Sequence, residues 1–223
     1  MLVAATHNTR RAFQTFGNFS SGNSVHYEPS LITSTTHQAS ASHLVIGQRL
    51  LPQIAIRAAD SRPVEIQDLC PADTRFKVIV FTGPAHGTHL DAISAEMARA
   101  DGWLHRFGGN AVFEVVTVCQ GNKDTIEWIS VPEVLRPHWT KSVFILVHDY
   151  RRVLTGMVPH RVLLDDTDTT GKEGGKMYKT YGIGSEGAVV IVRPDGYVAN
   201  VVPLDQTHTL DAYFGAFLKP RDS

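Results

Sequence analysis

Apolar residues fall along this chain in short, strand-sized runs parted by polar turns, and the pattern becomes regular only after Gly47. Arg75 to Thr82 is rich in branched and aromatic residues with no polar alternation, which predicts a central strand covered on both faces. Gly83-Pro84 breaks it, and Thr88 to Asp91 has the hydroxyl-x-x-acid spacing of a helix capping box. Leu90, Ile93, Met97, Ala100 and Leu104 then recur at helical spacing, predicting one helix that runs to the Gly108-Gly109 stop. Val112 to Cys119 is a second buried strand, so strand, helix and parallel strand form a right-handed crossover.

Further on, Asn122 to Leu135 reads as helical with a break at Pro132, and Val143 to Val147 as a strand. Another apolar stretch covers Val153 to Leu164, followed by polar residues and a short helix around Lys176 to Tyr181. Gly187 to Arg193 and Tyr197 to Pro203 are strands joined by the tight turn Pro194-Asp195-Gly196. Leu210, Tyr213, Phe214 and Phe217 form the apolar stripe of a closing helix. A parallel half, an antiparallel hairpin and flanking helices predict an α/β thioredoxin-like fold, a central mixed sheet with helices on both faces.

The beginning of the chain is different. Between Gly17 and Ser42 it is crowded with Ser, Thr, Asn and His, which predicts an extended N-terminal arm over residues 1–46 and a thioredoxin-like domain over 47–223. Phe13, Phe16 and Phe19, three apart, give the arm an aromatic edge that needs a surface to pack on.

Composition narrows the classes. Of 223 residues, 43% are hydrophobic, enough for a sizeable core, and 21 basic side chains balance 22 acidic ones, so no nucleic-acid footprint is expected. No apolar run is long enough to span a bilayer, and no secretory signal precedes the arm, so a cytoplasmic protein without a membrane partner is expected. Two cysteines, Cys70 and Cys119, far apart in sequence, read as thiols of a reducing compartment.

Candidate chemistry is thin. A redox-active thioredoxin places Cys-x-x-Cys where the first central strand turns into its helix, because the helix N-terminus lowers the thiol pKa. The turn here, Phe81 to His89, holds no cysteine, and thiol–disulfide chemistry is not expected. It does hold His86 and His89, which could act as an acid/base pair or simply cap the helix. Asp165, Asp166 and Asp168 could face a cation, but the run lacks the glycine and closing glutamate of a calcium loop. Gly171 to Lys176 has the wrong glycine spacing for a phosphate loop, with Met177 where a magnesium-binding hydroxyl belongs. The eleven histidines are scattered, and no metal site is expected.

Several segments together are more specific. Arg57-Ala-Ala-Asp60, Arg62 to Leu69 and Pro71 to Phe81 resemble the opening of the C-terminal domain of phenol 2-monooxygenase-type flavoproteins. Asp165 to Gly171, Tyr181-Gly-Ile183, Gly187 to Val198 and Val202 to Asp205 continue the resemblance, and Asn23 to Leu31 is similar to the segment leading into that domain. The likeness covers most of residues 12–218. It implies a dimerisation domain without redox cysteines, in a family whose whole proteins bind FAD and hydroxylate phenols with NADPH and oxygen. The family's glycine-rich dinucleotide loop is absent from these residues, so no flavin or other cofactor is expected in this chain, and none of the family's catalytic residues carries over.

Three functions follow from the resemblance. The chain is a redox-inactive dimerisation or accessory module, pairing with itself or with a flavin monooxygenase partner. Alternatively it is a domain recruited as a small cofactor-independent isomerase, cyclase or dehydratase acting on a small apolar or aromatic ligand, with His86, His89, Asp165 and Tyr181 as candidate catalytic residues. The third reading is a piece of a complete FAD-dependent phenol 2-monooxygenase.

Overall fold

The computed structural model describes residues 25–84, 88–124, 126, 131–136 and 161–221. In chain order its strands and helices are β1 (Ile54–Arg57), β2 (Pro63–Glu65), β3 (Phe76–Pro84), α1 (Thr88–Ala98), α2 (Trp103–Arg106), β4 (Phe113–Gln120), β5 (Val162–Leu164), α3 (Met177–Tyr181), β6 (Ala188–Val192), β7 (Val198–Val202) and α4 (Leu210–Gly215). The strands form one mixed sheet in the order β2-β1-β5-β4-β3-β6-β7.

Two units make its centre. β3-α1-β4 is the predicted crossover, with β3 and β4 parallel and Val78 opposite Val115. The β6–β7 hairpin followed by α4 adds to the other side of β3, with β6 antiparallel to both neighbours. Sheet order β4-β3-β6-β7 with this pairing is the thioredoxin-like core, as the run pattern predicts. In the hairpin turn Gly196 adopts φ +86°, its N–H bonding to the Arg193 carbonyl at 2.9 Å.

β3 is buried from Lys77 to Gly83, so alternate side chains feed two cores. On one face Val78, Val80, Val115, Val189 and Ile191 meet α1 through Leu90, Ile93 and Met97, and meet Trp103 and Phe214. On the other, Ile79, Phe81, Val116, Val118 and Val190 meet Ala41, Leu44, Ile46 and Leu50 of the N-terminal segment and Met177, Tyr178 and Tyr181 of α3. That segment also occupies the edge of β7. Gly47 donates to the Val198 carbonyl at 2.8 Å, Leu50 to Gly196 at 3.0 Å and Ser34 to Ala199 at 2.8 Å. A second pass lies outside the first, where Tyr27 donates to the Gly47 carbonyl at 2.9 Å. Gly47 sits at φ +90°, and a Cβ there would stand 2.2 Å from the Tyr27 carbonyl oxygen, so only glycine fits.

The structure corrects several expected elements. The single helix to Leu104 is two: α1 ends at Ala98, Ala100 is exposed, and Gly102 restarts the chain into α2. The break follows from Gly102, which bonds back to the Arg99 carbonyl at 3.1 Å instead of continuing the helix. Of the helical stretch Asn122 to Leu135, the described part holds one turn of 3-10 helix, Glu133–Leu135. Of the stretch from Val153, only Val162–Leu164 is a described strand, and Val143 to Val147 lies outside the described residues. β1 and β2 carried no periodic signal, because they are three or four residues long and half-buried.

Phe214 is the hub of the first core, with ring centroids of Phe113, Trp103 and Phe76 at 4.7, 5.5 and 5.8 Å. Phe214→Ala is expected to lower unfolding free energy by about 3–5 kcal/mol in urea titration. A loss under about 1 kcal/mol would show that the ring is not central to packing.

Candidate functional site

In a thioredoxin-like fold the C-terminal end of β3 is where chemistry is sought. Here α3 closes it. Asp165, just past β5, accepts hydrogen bonds from the backbone N–H groups of Met177 and Tyr178, both at 2.9 Å, and so caps α3. Its own N–H reaches the Cys119 carbonyl at 2.9 Å, tying the cap to β4. The helix thereby presents Tyr178 to the strand ends. The Tyr178 hydroxyl donates to the Val118 carbonyl at 2.9 Å and accepts from the Gly83 N–H at 2.9 Å. It bridges β4 and β3 where their register slips between Phe81 and Pro84. The ring meets Phe81 edge-on at 5.2 Å, and burial pushes the phenol far up, so it stays neutral.

The predicted catalytic residues fare differently. Tyr181 is fully buried and donates to the Leu51 carbonyl at 2.6 Å, its phenol also pushed up by burial. Asp165 and Tyr181 are thus brought to the same short helix, but both bond to backbone. His86 lies outside the described residues, and of His89 only its place in the first turn of α1 is described. The neighbouring acids serve loop backbone: Asp166 accepts from Lys123 N–H at 3.0 Å and Thr167 N–H at 2.7 Å, and Asp168 from Lys172 N–H at 2.9 Å. No group of His, Cys, Asp and Glu that could hold a metal occurs among the described residues.

Both thiols are held protonated. Burial pushes Cys119, on β4, up to about 11. It pushes Cys70 up to about 12, against the pull of nearby Lys77 and Arg161.

A cluster of charges that the sequence reading missed lies at the opposite end of β3. Lys77 and Glu114 face each other across the β3–β4 register, both buried, with Nζ 2.8 Å from Oε2. Arg75 reaches the same carboxylate at 2.8 Å, Arg161 also meets it, and Asp73 pairs with both Arg75 and Lys77. Burial acts to raise the Asp73 pKa, yet hydrogen bonds from Lys77 and Arg75 hold it down at about 2. Burial lowers that of Lys77, with Asp73 opposing. The signal was legible: a lone charge at the second position of each apolar strand, Phe76-Lys77 and Phe113-Glu114.

One open cleft of about 350 Å³ runs between β1, β2 and the loop before α3, lined by Gln53, Ile54, Glu65, Lys172, Glu173 and Lys176. Its mixed, solvated charges contain none of the predicted catalytic residues.

These features define a thioredoxin-like domain whose strand-end turn has no cysteine. The chain belongs to the family described as the phenol hydroxylase C-terminal dimerisation domain, whose model matches residues 25–222. It is 28% identical over 216 residues to the FAD-dependent monooxygenase terD of Aspergillus terreus, covering 91% of this chain and 33% of that protein. It is 27% identical over 222 residues to the 3-hydroxybenzoate 4-monooxygenase of Comamonas testosteroni, covering 94% and 32%. The chain therefore spans about a third of the length of the curated relatives it matches. Among solved structures it is similar to the thioredoxin domain of a thiol-disulfide oxidoreductase from Bacteroides vulgatus, with 10% identity, a TM-score of 0.43 and coverage of 76% and 98%.

Glu114→Ala strips the buried Lys77 of a partner and is expected to cost about 3–5 kcal/mol in chemical denaturation. Asp73 is depressed from its ordinary 3.8, so its contribution is complete above that value and lost as pH falls towards about 2. Asp73→Asn should flatten the acid limb of stability over that window. An unchanged limb would show that the pairing is not maintained in solution.

Proposed function

We propose that this chain is a redox-inactive dimerisation module, two copies associating to hold flavin-dependent aromatic hydroxylase units together. The observation that carries the reading is the strand-end turn. It lacks cysteine, and the Tyr178 hydroxyl occupies the backbone groups beside it. Both cysteines elsewhere are held protonated by burial, which weighs against thiol exchange. Family membership and the relatives' names support a role beside flavin monooxygenase chemistry. Aromatic hydroxylation itself would belong to a flavin-binding unit, since the residues after β3 do not supply the G-x-G-x-x-G loop that cradles a dinucleotide.

A small cofactor-independent enzyme is the weaker reading. Such an enzyme needs convergent acid/base groups in a pocket. Asp165 and Tyr181 are instead bonded to backbone, and the open cleft is lined by neither.

The purified chain is expected to scatter light as a dimer, to be colourless, and to give no turnover in a dithiothreitol-driven insulin reduction assay. A monomer would sink the dimerisation reading. Insulin reduction abolished by Cys70→Ser would sink the redox-inactive one.

A further inference from the structure

Among the described residues, the exposed large apolar side chains all fall in one stretch of chain: Val25, Tyr27, Leu31, Val45 and Leu51, between 38% and 69% exposed. Four of them lie in the double pass laid along β7, and Leu51 stands where the inner pass leaves that edge to cross under α3. Tyr27 is joined to the inner pass through the Gly47 carbonyl, two residues from Val45, and Leu51 follows the residue that bonds to Gly196. Beneath Tyr27 the hairpin supplies a firm base. Tyr197 meets its ring edge-on at 4.9 Å, and the Arg193 guanidinium lies 4.2 Å over it. Tyrosine and arginine held in place this way are the residue types that anchor protein interfaces.

The surrounding charge is balanced. Arg193 pairs with Asp195 at 2.5 Å, Arg49 reaches the Asp195 carbonyl at 3.5 Å, and Glu28 is exposed on the outer pass. A patch carrying both signs is able to pair with a copy of itself, since a twofold axis sets each cation against the other copy's anion. Residue 25 is also where the match to the dimerisation family begins, so the double pass belongs to the family domain.

We propose that this arm-covered edge of β7, centred on Tyr27, Leu31 and Val45, is the surface through which a second copy of this chain docks. The inference rests on the dimerisation reading and adds to it the face and the residues that carry it. It makes the N-terminal segment serve twice, its inward side chains closing the second core and its outward ones meeting the partner.

The test is the mass of the full chain by sedimentation equilibrium, comparing the native protein with L31E/V45E and with K172E, which lies by the opposite edge of the sheet. The native protein and K172E are expected to be dimers. L31E/V45E is expected to dissociate, its dimer constant weakened about 100-fold or more, with circular dichroism and melting temperature retained. Should that variant melt early, L31S/V45T repeats the comparison with a smaller perturbation. A native dimer alongside an undiminished dimer of the folded variants would overturn the surface and leave the dimerisation reading standing. A native monomer up to about 100 μM would overturn both.

Discussion

From Lys77 to Gly83 strand β3 is out of water, and its side chains alternate between two cores, so the sheet must be covered on both faces. Most other features follow from that requirement. α1, α2 and α4 close one face, with the aromatic cluster around Phe214 as its densest part. Among the described residues, the one α-helix on the other face is α3, five residues long, and irregular chain from Ala41 to Leu50 adds to the cover. A segment with little apolar periodicity of its own is ordered because it covers branched side chains that would otherwise meet water. Each such side chain is worth roughly 1.5–3 kcal/mol when fully buried.

Covering the second face also brings a side chain to the strand ends. α3 is held by the Asp165 cap, and the helix in turn delivers Tyr178 to the β3–β4 slip. The backbone groups freed by that slip, Gly83 N–H and Val118 C=O, would be costly if buried without partners, and one phenol satisfies both. At the other end of the same strands Lys77 and Glu114 pair across the sheet with Asp73, Arg75 and Arg161 around them. A one-residue slip of β4 against β3 would turn Glu114 to the opposite face and leave buried Lys77 with Asp73 but without its cross-strand partner. The cluster is therefore a register device in a pair of strands whose many valines distinguish registers poorly.

How much of this was legible in the sequence follows from the same physics. β3, β4, β6 and β7 were readable because double-sided burial demands unbroken apolar runs, and the Pro194-Asp195-Gly196 turn marked the hairpin. β1 and β2 were not, since half-buried strands of a few residues carry no period. The break between α1 and α2 was hidden because Leu104 keeps helical spacing with Met97 although Gly102 ends the register. Of the candidate site, Asp165 and Tyr181 were picked out as chemistry-bearing types. Their hydrogen bonds join residues 12 and 130 positions apart, which no local pattern reveals. The role of Tyr178 was missed for the same reason, three residues from a tyrosine that drew notice.

The same requirement bears on why this domain would associate at all. A five-residue helix cannot cover the six strands that line this core, so among the described residues the rest of the cover is chain lying along β7, and irregular chain cannot hide both of its own sides. Its inward residues Ala41, Leu44, Ile46 and Leu50 are buried, which leaves Val45 and Leu51, their immediate neighbours, turned outward. The alternation that makes the segment a good lid thus gives it an apolar outer surface. Gly47 brings the outer pass close enough to shield part of that surface, and in doing so adds Tyr27, itself partly exposed. Each layer moves the apolar boundary outward by one chain without ending it. In the proposed dimer a second copy presenting the same face would end it symmetrically, because neither copy would then retain an uncovered pass.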